Sequence, residues 1–193
     1  MKKHLNTVLV LVIVLLSAEV LYLAYQNRQM QAVINNLPQF TTLNEGDRVP
    51  GLKAQDIDGR PVDLKYGTGQ PFTVMFWFSP TCSYCAENMS FWNQLYYEND
   101  SDRVRVIGVC ACDPDEAGIL TEEHQLAFPV VCINEPYLLN VYHGNVLPQT
   151  LLITPDGYIG GAWPGALTNE QIDEIFTALA ELNISITEGG EKE

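Results

Sequence analysis

Cys82 and Cys85 stand two residues apart in the stretch Ser79-Pro80-Thr81-Cys82-Ser83-Tyr84-Cys85, a spacing that suits interconversion between a dithiol and a disulfide. The thiolate is the nucleophile in that chemistry, so the question is what lowers a cysteine's pKa. Upstream, residues 72–78 form an apolar, aromatic run with the length of a buried strand. Ser79-Pro80-Thr81 breaks the run, after which Cys85, Met89, Trp92 and Tyr96 recur at helical spacing. The pair is therefore expected where a strand ends and a helix, over residues 82–97, begins. Unpaired N–H groups and partial positive charge at a helix N-terminus stabilise a thiolate. With Cys82 on the exposed first turn, it becomes the attacking sulfur, and Cys85 resolves the mixed disulfide. Other uses of the pair fit less well. Structural zinc needs four ligands, and no second Cys-x-x-Cys exists; c-type haem attachment needs His after Cys85, where the chain has Ala86. A purely structural disulfide at this spacing would be unusual.

The elements around the pair begin with a basic start, Met1-Lys2-Lys3-His4, and an apolar segment over residues 5–25. About 20 apolar residues span a bilayer as a helix. A cleavable signal peptide would be shorter and end in small residues, whereas this segment runs past Ser17-Ala18 to Leu23, so residues 1–25 read as an uncleaved transmembrane signal anchor. Glu19 then lies near the outer interface or faces a partner helix. Lys2 and Lys3 precede the segment and Arg28 follows it, which keeps the N-terminus cytoplasmic and exports the rest, periplasmic or otherwise extracytoplasmic. Export permits stable disulfides. A net charge of −14 argues against nucleic acid and against anionic lipid as partners.

Residues 26–44 read as a juxtamembrane helix and linker. Met30, Val33, Ile34 and Leu37 keep helical spacing until Pro38, and this stripe would rest on another copy, on lipid or on the domain. Residues 45–184 hold the domain. Strands are expected over residues 52–57 and 62–64 around Asp58-Gly59, then over 72–78 and 104–110. A helix follows over residues 113–126, capped by Asp113 or Asp115, and a third apolar run covers 128–133. Pro136 opens a short helix that Gly144 closes, and residues 150–153 and 158–163 flank the turn Pro155-Asp156-Gly157. Thr168-Asn169-Glu170-Gln171 is a capping box for a last helix carrying Ile172, Ile175, Phe176, Leu179 and Leu182 on one face. Residues 185–193 are a polar, acidic tail expected to be disordered. This alternation indicates an α/β fold, a central mixed sheet with helices on both faces.

These residues carry a resemblance. From about Gly46 to Leu182 the chain resembles membrane-anchored thioredoxin-like proteins of the TlpA/ResA type. The entry hairpin with Gly59, the aromatic strand into Cys82-x-x-Cys85, Val106-Ile107-Gly108-Val109, Phe128-Pro129-Val130-Val131, Val146-Leu147-Pro148-Gln149-Thr150 and the Asp156-Gly157 hairpin come in the family's order. Ser79-Pro80-Thr81-Cys82 looks closest to the accessory proteins of methylamine dehydrogenase maturation. The resemblance implies a thioredoxin-like fold, a thiol–disulfide oxidoreductase and a link to cytochrome c maturation. It also implies a cis Pro148 beside the cysteines, with Leu147 offering backbone groups to an extended peptide. Tyr84 and Phe78 join Leu147 and Pro148 as expected substrate-binding residues.

The departures from the family are as specific. Phe76 stands where a buried acid often precedes the first cysteine, and Phe78 stands in place of the thioredoxin tryptophan. Asn88 occupies the position of the ResA-like glutamate, while Glu87 is displaced around the helix by about 100°. The sequence thus offers no carboxylate to deprotonate Cys85. In the family fold the strands ending at Cys110 and Cys132 are parallel neighbours. A second disulfide from Cys132 to Cys110 or Cys112 is then expected, Cys110 being preferred, with three buried free thiols as the alternative.

The leading reading is an exported, membrane-tethered oxidoreductase that needs no metal or organic cofactor. It exchanges with protein thiols and disulfides and with a membrane electron donor or acceptor. Two others stand beside it: a copper metallochaperone using Cys82, Cys85 and His143, and a thiol peroxidase, for which Thr81 adjoins Cys82 instead of standing three residues before it.

Overall fold

The computed structural model describes residues 2–35, 42–99 and 103–184, the side chains of 2–10, 12, 30–35, 183 and 184 excepted. It divides into two units, Met1–Phe40 and Thr41–Glu193. The described part of the first is one helix, α1 (Lys2–Asn35). Its described large apolar side chains, Leu15, Val20, Leu21 and Leu23 among them, are exposed. Among the described residues no helix is long and apolar enough to cross a membrane. Residues 5–10 of the expected anchor, the stripe from Met30 to Leu37 and the acidic tail lie outside the described side chains.

The second unit runs β1 (Leu52–Asp56), β2 (Pro61–Leu64), β3 (Phe72–Phe78), α2 (Cys85–Glu98), β4 (Val104–Cys110), α3 (Pro114–Glu123), β5 (Val130–Cys132), α4 (Pro136–Val141), β6 (Gln149–Ile153), β7 (Ile159–Pro164) and α5 (Asn169–Ile184). The seven strands form one mixed sheet in the order β2-β1-β5-β4-β3-β6-β7. β3, β4 and β5 are parallel, with Phe78 opposite Cys110 and Cys110 opposite Cys132. β6 runs antiparallel to β3, and β1 antiparallel to β5.

Strand alternation sorts the core into two layers. Val74, Phe76, Phe78, Val104, Val106, Cys110, Val130 and Cys132 face a layer closed by α2, α3 and α5. Met75, Trp77, Ile107, Val109 and Val131 face the other, closed by Leu138 and Tyr142 of α4 and its C-cap. Two glycines make these layers fit. A Cβ on Gly144 would lie 2.6 Å from Cζ3 of Trp77, and one on Gly108 would lie 2.6 Å from Cε2 of Phe128 and 2.9 Å from Cε1 of Phe78. The end of α4 differs from the sequence expectation. His143, at φ 51°, takes the left-handed turn, and Gly144 is required for the Trp77 contact. The capping box holds: Thr168 N–H donates to Gln171 Oε1 at 3.0 Å, and Gln171 N–H donates to Thr168 Oγ1 at 3.3 Å. Asp113 occupies the N-cap of α3, but its carboxylate accepts from Asn134 Nδ2 instead of capping the helix.

Candidate redox site

β3 delivers the chain to the carboxyl edge of the sheet and stops where Pro80 cannot extend the ladder. Two tight turns come next: Cys82 N–H donates to Ser79 O at 3.2 Å, and Cys85 N–H donates to Cys82 O at 3.2 Å. The helix starts at Cys85, so Cys82 lies ahead of its first turn and not on it, a correction to the sequence reading. These consecutive turns consume the residues that helical periodicity alone would assign to α2. Cys82 and Cys85 are bonded, with Cα atoms 5.5 Å apart. Cys82 is half-buried and Cys85 is 1% exposed. An incoming thiolate therefore meets Cys82 first, and the sulfur of Cys85 is held within the core layer.

The surroundings of the pair are uncharged from Ser79 to Ala86. Tyr84, between the cysteines, is 64% exposed and open to a partner. Phe78 is 0% exposed, so it cannot touch a substrate and leaves the substrate-binding set. Its ring belongs to an aromatic packing layer. Phe76 stacks on Trp92 at 4.9 Å and meets Phe128 edge-on, and Trp92 Nε1 donates to Thr150 Oγ1 at 3.0 Å. The position where the resemblance leads one to expect an acid is thus filled by packed rings.

The Leu147–Pro148 peptide bond is cis. Pro148 is buried, and Leu147, half-buried, packs against both core layers. The carbonyl of Pro148 accepts from Gly165 N–H at 2.7 Å. Gly165 O in turn accepts from Asn88 Nδ2 at 3.0 Å, and Asn88 Oδ1 accepts from Leu167 N–H at 2.9 Å. Asn88 lies one turn after Cys85 on α2 and is 2% exposed. An unbroken hydrogen-bond chain therefore links the helix of Cys85, the segment after β7 and the loop of Pro148. In the sequence Asn88 registers only as a missing carboxylate. The signal available was an amide on the apolar face of the helix, where a buried polar group must find partners.

The other cysteines pair differently from the expectation. The bond joins Cys110 to Cys112, with Cα atoms 5.2 Å apart, and Cys132 is a buried free thiol. The preferred bridge joins Cys110 to Cys132 across the strand pair, and these two are register partners, but Cys110 is already bonded to Cys112. The alternative through Cys112 assumes that extension continues past Cys110. The chain instead bends at Ala111 and Cys112, which draws residues two apart closer than the ~6.5 Å of an extended strand. Burial, with the carboxylates of Asp113 and Asp56, pushes the Cys132 thiol up to about 11. Among the described residues no group of three or more His, Cys, Asp or Glu side chains could hold a metal ion. His143 sits in the turn after α4, half-buried.

Comparison with known proteins gives a consistent result. The AhpC/TSA family description matches residues 45–161. The chain is 27% identical to "Thiol-disulfide oxidoreductase ResA" of Bacillus cereus (strain ATCC 10987 / NRS 248), over 90% of this chain and 96% of that protein. It also superposes on the crystal structure of StoA from Bacillus subtilis, with a TM-score of 0.53 and 22% identity over 66% of this chain and 98% of the other. A thiol-disulfide oxidoreductase from Bacteroides fragilis NCTC 9343 gives a TM-score of 0.58 and 14% identity over 69% and 99%. These structural likenesses show a thioredoxin-like fold.

Proposed function

This chain belongs to the AhpC/TSA family, and from that premise we propose that it is a thiol–disulfide oxidoreductase working on protein cysteines through Cys82 and Cys85. One observation carries the reading: the bonded pair ends a central strand with one sulfur half-exposed and the other buried. In the reducing direction, the Cys82 thiolate attacks a partner disulfide and a partner sulfur leaves as thiolate. Cys85 then attacks Cys82, the partner's second sulfur leaves, and the pair ends as Cys82–Cys85 with two electrons transferred. The reverse sequence oxidises a partner dithiol. Tyr84 and the backbone around Leu147 and Pro148 supply the surface for an extended partner segment.

The domain is exported and held at a membrane by its N-terminal segment, where a membrane electron donor or acceptor resets the pair. The basic start, the apolar residues 5–25 and the helix that carries them support this part of the reading. Asn88, in place of a glutamate, separates this site from a ResA-like one, so cytochrome c maturation is the weaker assignment of substrate. The decisive experiment is trapping. A Cys85→Ser chain should accumulate mixed disulfides at Cys82, and the full chain should reduce or form disulfides in a cysteine-paired peptide. Absence of both would end the reading. Alkaline carbonate extraction of membranes tests the tether separately, since a peripheral protein would be released.

A further inference from the structure

A second sulfur site stands apart from Cys82 and Cys85. Cys110, Cys112 and Cys132 all face the layer closed by α2 and α3, and Cys110 and Cys132 are register partners on adjacent strands. Such partners lie ~4.8 Å apart. Cys112 and Cys132 also line a pocket of about 320 Å³. Lys53 and Gln55 of β1, Pro61 of β2, and Asp113 and Glu135 also stand in its wall.

The choice of bond is informative. A cross-link holds a fold together chiefly by removing loop entropy from the unfolded chain, and this gain grows with the length of loop closed. A bond across Ala111 alone closes the shortest loop on offer. A bond from Cys132 to either neighbour would close a loop of about twenty residues and brace the fold more. The bridge that forms is the one that contributes least to stability, and one of its two residues, Cys112, 4% exposed, lines the pocket.

We propose that Cys110 and Cys112 form a second exchange couple, reached through this pocket and oxidising dithiols of protein partners. A partner thiolate attacks Cys112 Sγ and the Cys110–Cys112 bond breaks. Cys110 leaves as a thiolate and takes a proton from water. The partner's second thiol then attacks the mixed disulfide, and Cys112 leaves as a thiol. The partner ends as a disulfide, and the chain ends with two more thiols. Cys132 takes no part, because burial and the Asp113 and Asp56 carboxylates keep it protonated. Asp113 and Glu135 at the wall, against Lys53 alone, favour neutral or cationic thiols over anionic ones.

The proposal does not depend on exchange at Cys82, and its test removes that pair. The full chain carrying Cys82→Ser and Cys85→Ser is reduced while folded with dithiothreitol, a neutral dithiol. It is then quenched in acid, unfolded and alkylated, and its thiols are counted by mass. The count should rise from one to three with circular dichroism unchanged. A count that stays at one until urea is added, or that begins at three, overturns the proposal. Incubation of the oxidised double variant with a reduced two-cysteine peptide should form one peptide disulfide per chain, and none formed overturns it as well. Should the variant fail to fold, the unsubstituted chain answers the same question: native reduction must expose all five thiols, and a plateau at three refutes a second couple.

Discussion

Cys82–Cys85 and Cys110–Cys112 close two adjacent parallel strands, β3 and β4, at the same edge and toward the same side of the sheet. Their environments nevertheless diverge. After β3 the chain makes two turns and enters a long helix, so one sulfur stands out while the other goes into the core. After β4 the chain bends once; both cysteines belong to the layer beneath α3, and Cys112 alone of the two also lines the neighbouring pocket. The contrast shows that exposure of the first sulfur is set by the turns and helix that continue the strand, more than by cysteine spacing.

The largest effect should come from Cys82→Ser, which is expected to abolish disulfide exchange with a peptide through the main site, because Cys85 is buried and cannot attack in its place. Normal turnover in that variant would erase the contrast between the two regions. Asn88→Ala should come next. It leaves Gly165 O and Leu167 N–H, both part-buried, without their partner. At about 1 kcal/mol or a little more each, the unfolding free energy should fall by about 2–3 kcal/mol and the melting point with it. If the melting point holds, the hydrogen-bond chain is not what fixes the main site.

Labelling sharpens the comparison from the other side. Cys132, raised from 9.0 to about 11, carries ~100-fold less thiolate at neutral pH than an ordinary thiol, and iodoacetamide should modify it correspondingly slowly. The same shift sets how stability varies with pH. Between about 9 and about 11 the unfolded chain releases this proton and the folded one keeps it, so stability should fall as pH rises through that window and be unaffected by this group below it. Rapid labelling of Cys132 at neutral pH in the folded chain would contradict the burial argument. The smallest change probes the ground between the two regions. Gly108→Ala drives a Cβ into Phe128 and Phe78, and overpacking of this kind costs about 1–3 kcal/mol, readable by urea titration.

Much of this is legible in the residues. The strands of residues 72–78 and 104–110 are marked by unbroken apolar runs, and both appear with those bounds. The capping box and the mixed sheet are equally direct. The start of α2 is not, because Cys85, Met89 and Trp92 fix the helix face while saying nothing about turns inserted before it. Family position alone puts Phe78 at the surface, although alternation with Phe76 puts it on the same buried side. The Cys110–Cys112 bond escapes a sequence reading because it needs a bend at Ala111 that no glycine or proline announces. Asn88 escapes because its partners, Gly165 and Leu167, are distant in the chain.

Asn88 also bears on how the main site handles charge. A carboxylic acid beside a dithiol is a buffer: it can absorb a proton when a thiolate is needed and return it when the disulfide closes. An amide buffers nothing, and both ends of this one are already committed to backbone groups. At this turn of α2, the electrical state of the site therefore varies with its oxidation state. Closed, the pair is neutral; open, it gains a negative charge whenever a thiolate forms, in a stretch from Ser79 to Ala86 that has no ionisable group other than its two thiols and the Tyr84 phenol. A partner surface carrying positive charge would then grip the reduced form more tightly than the oxidised one and let go once the electrons have moved.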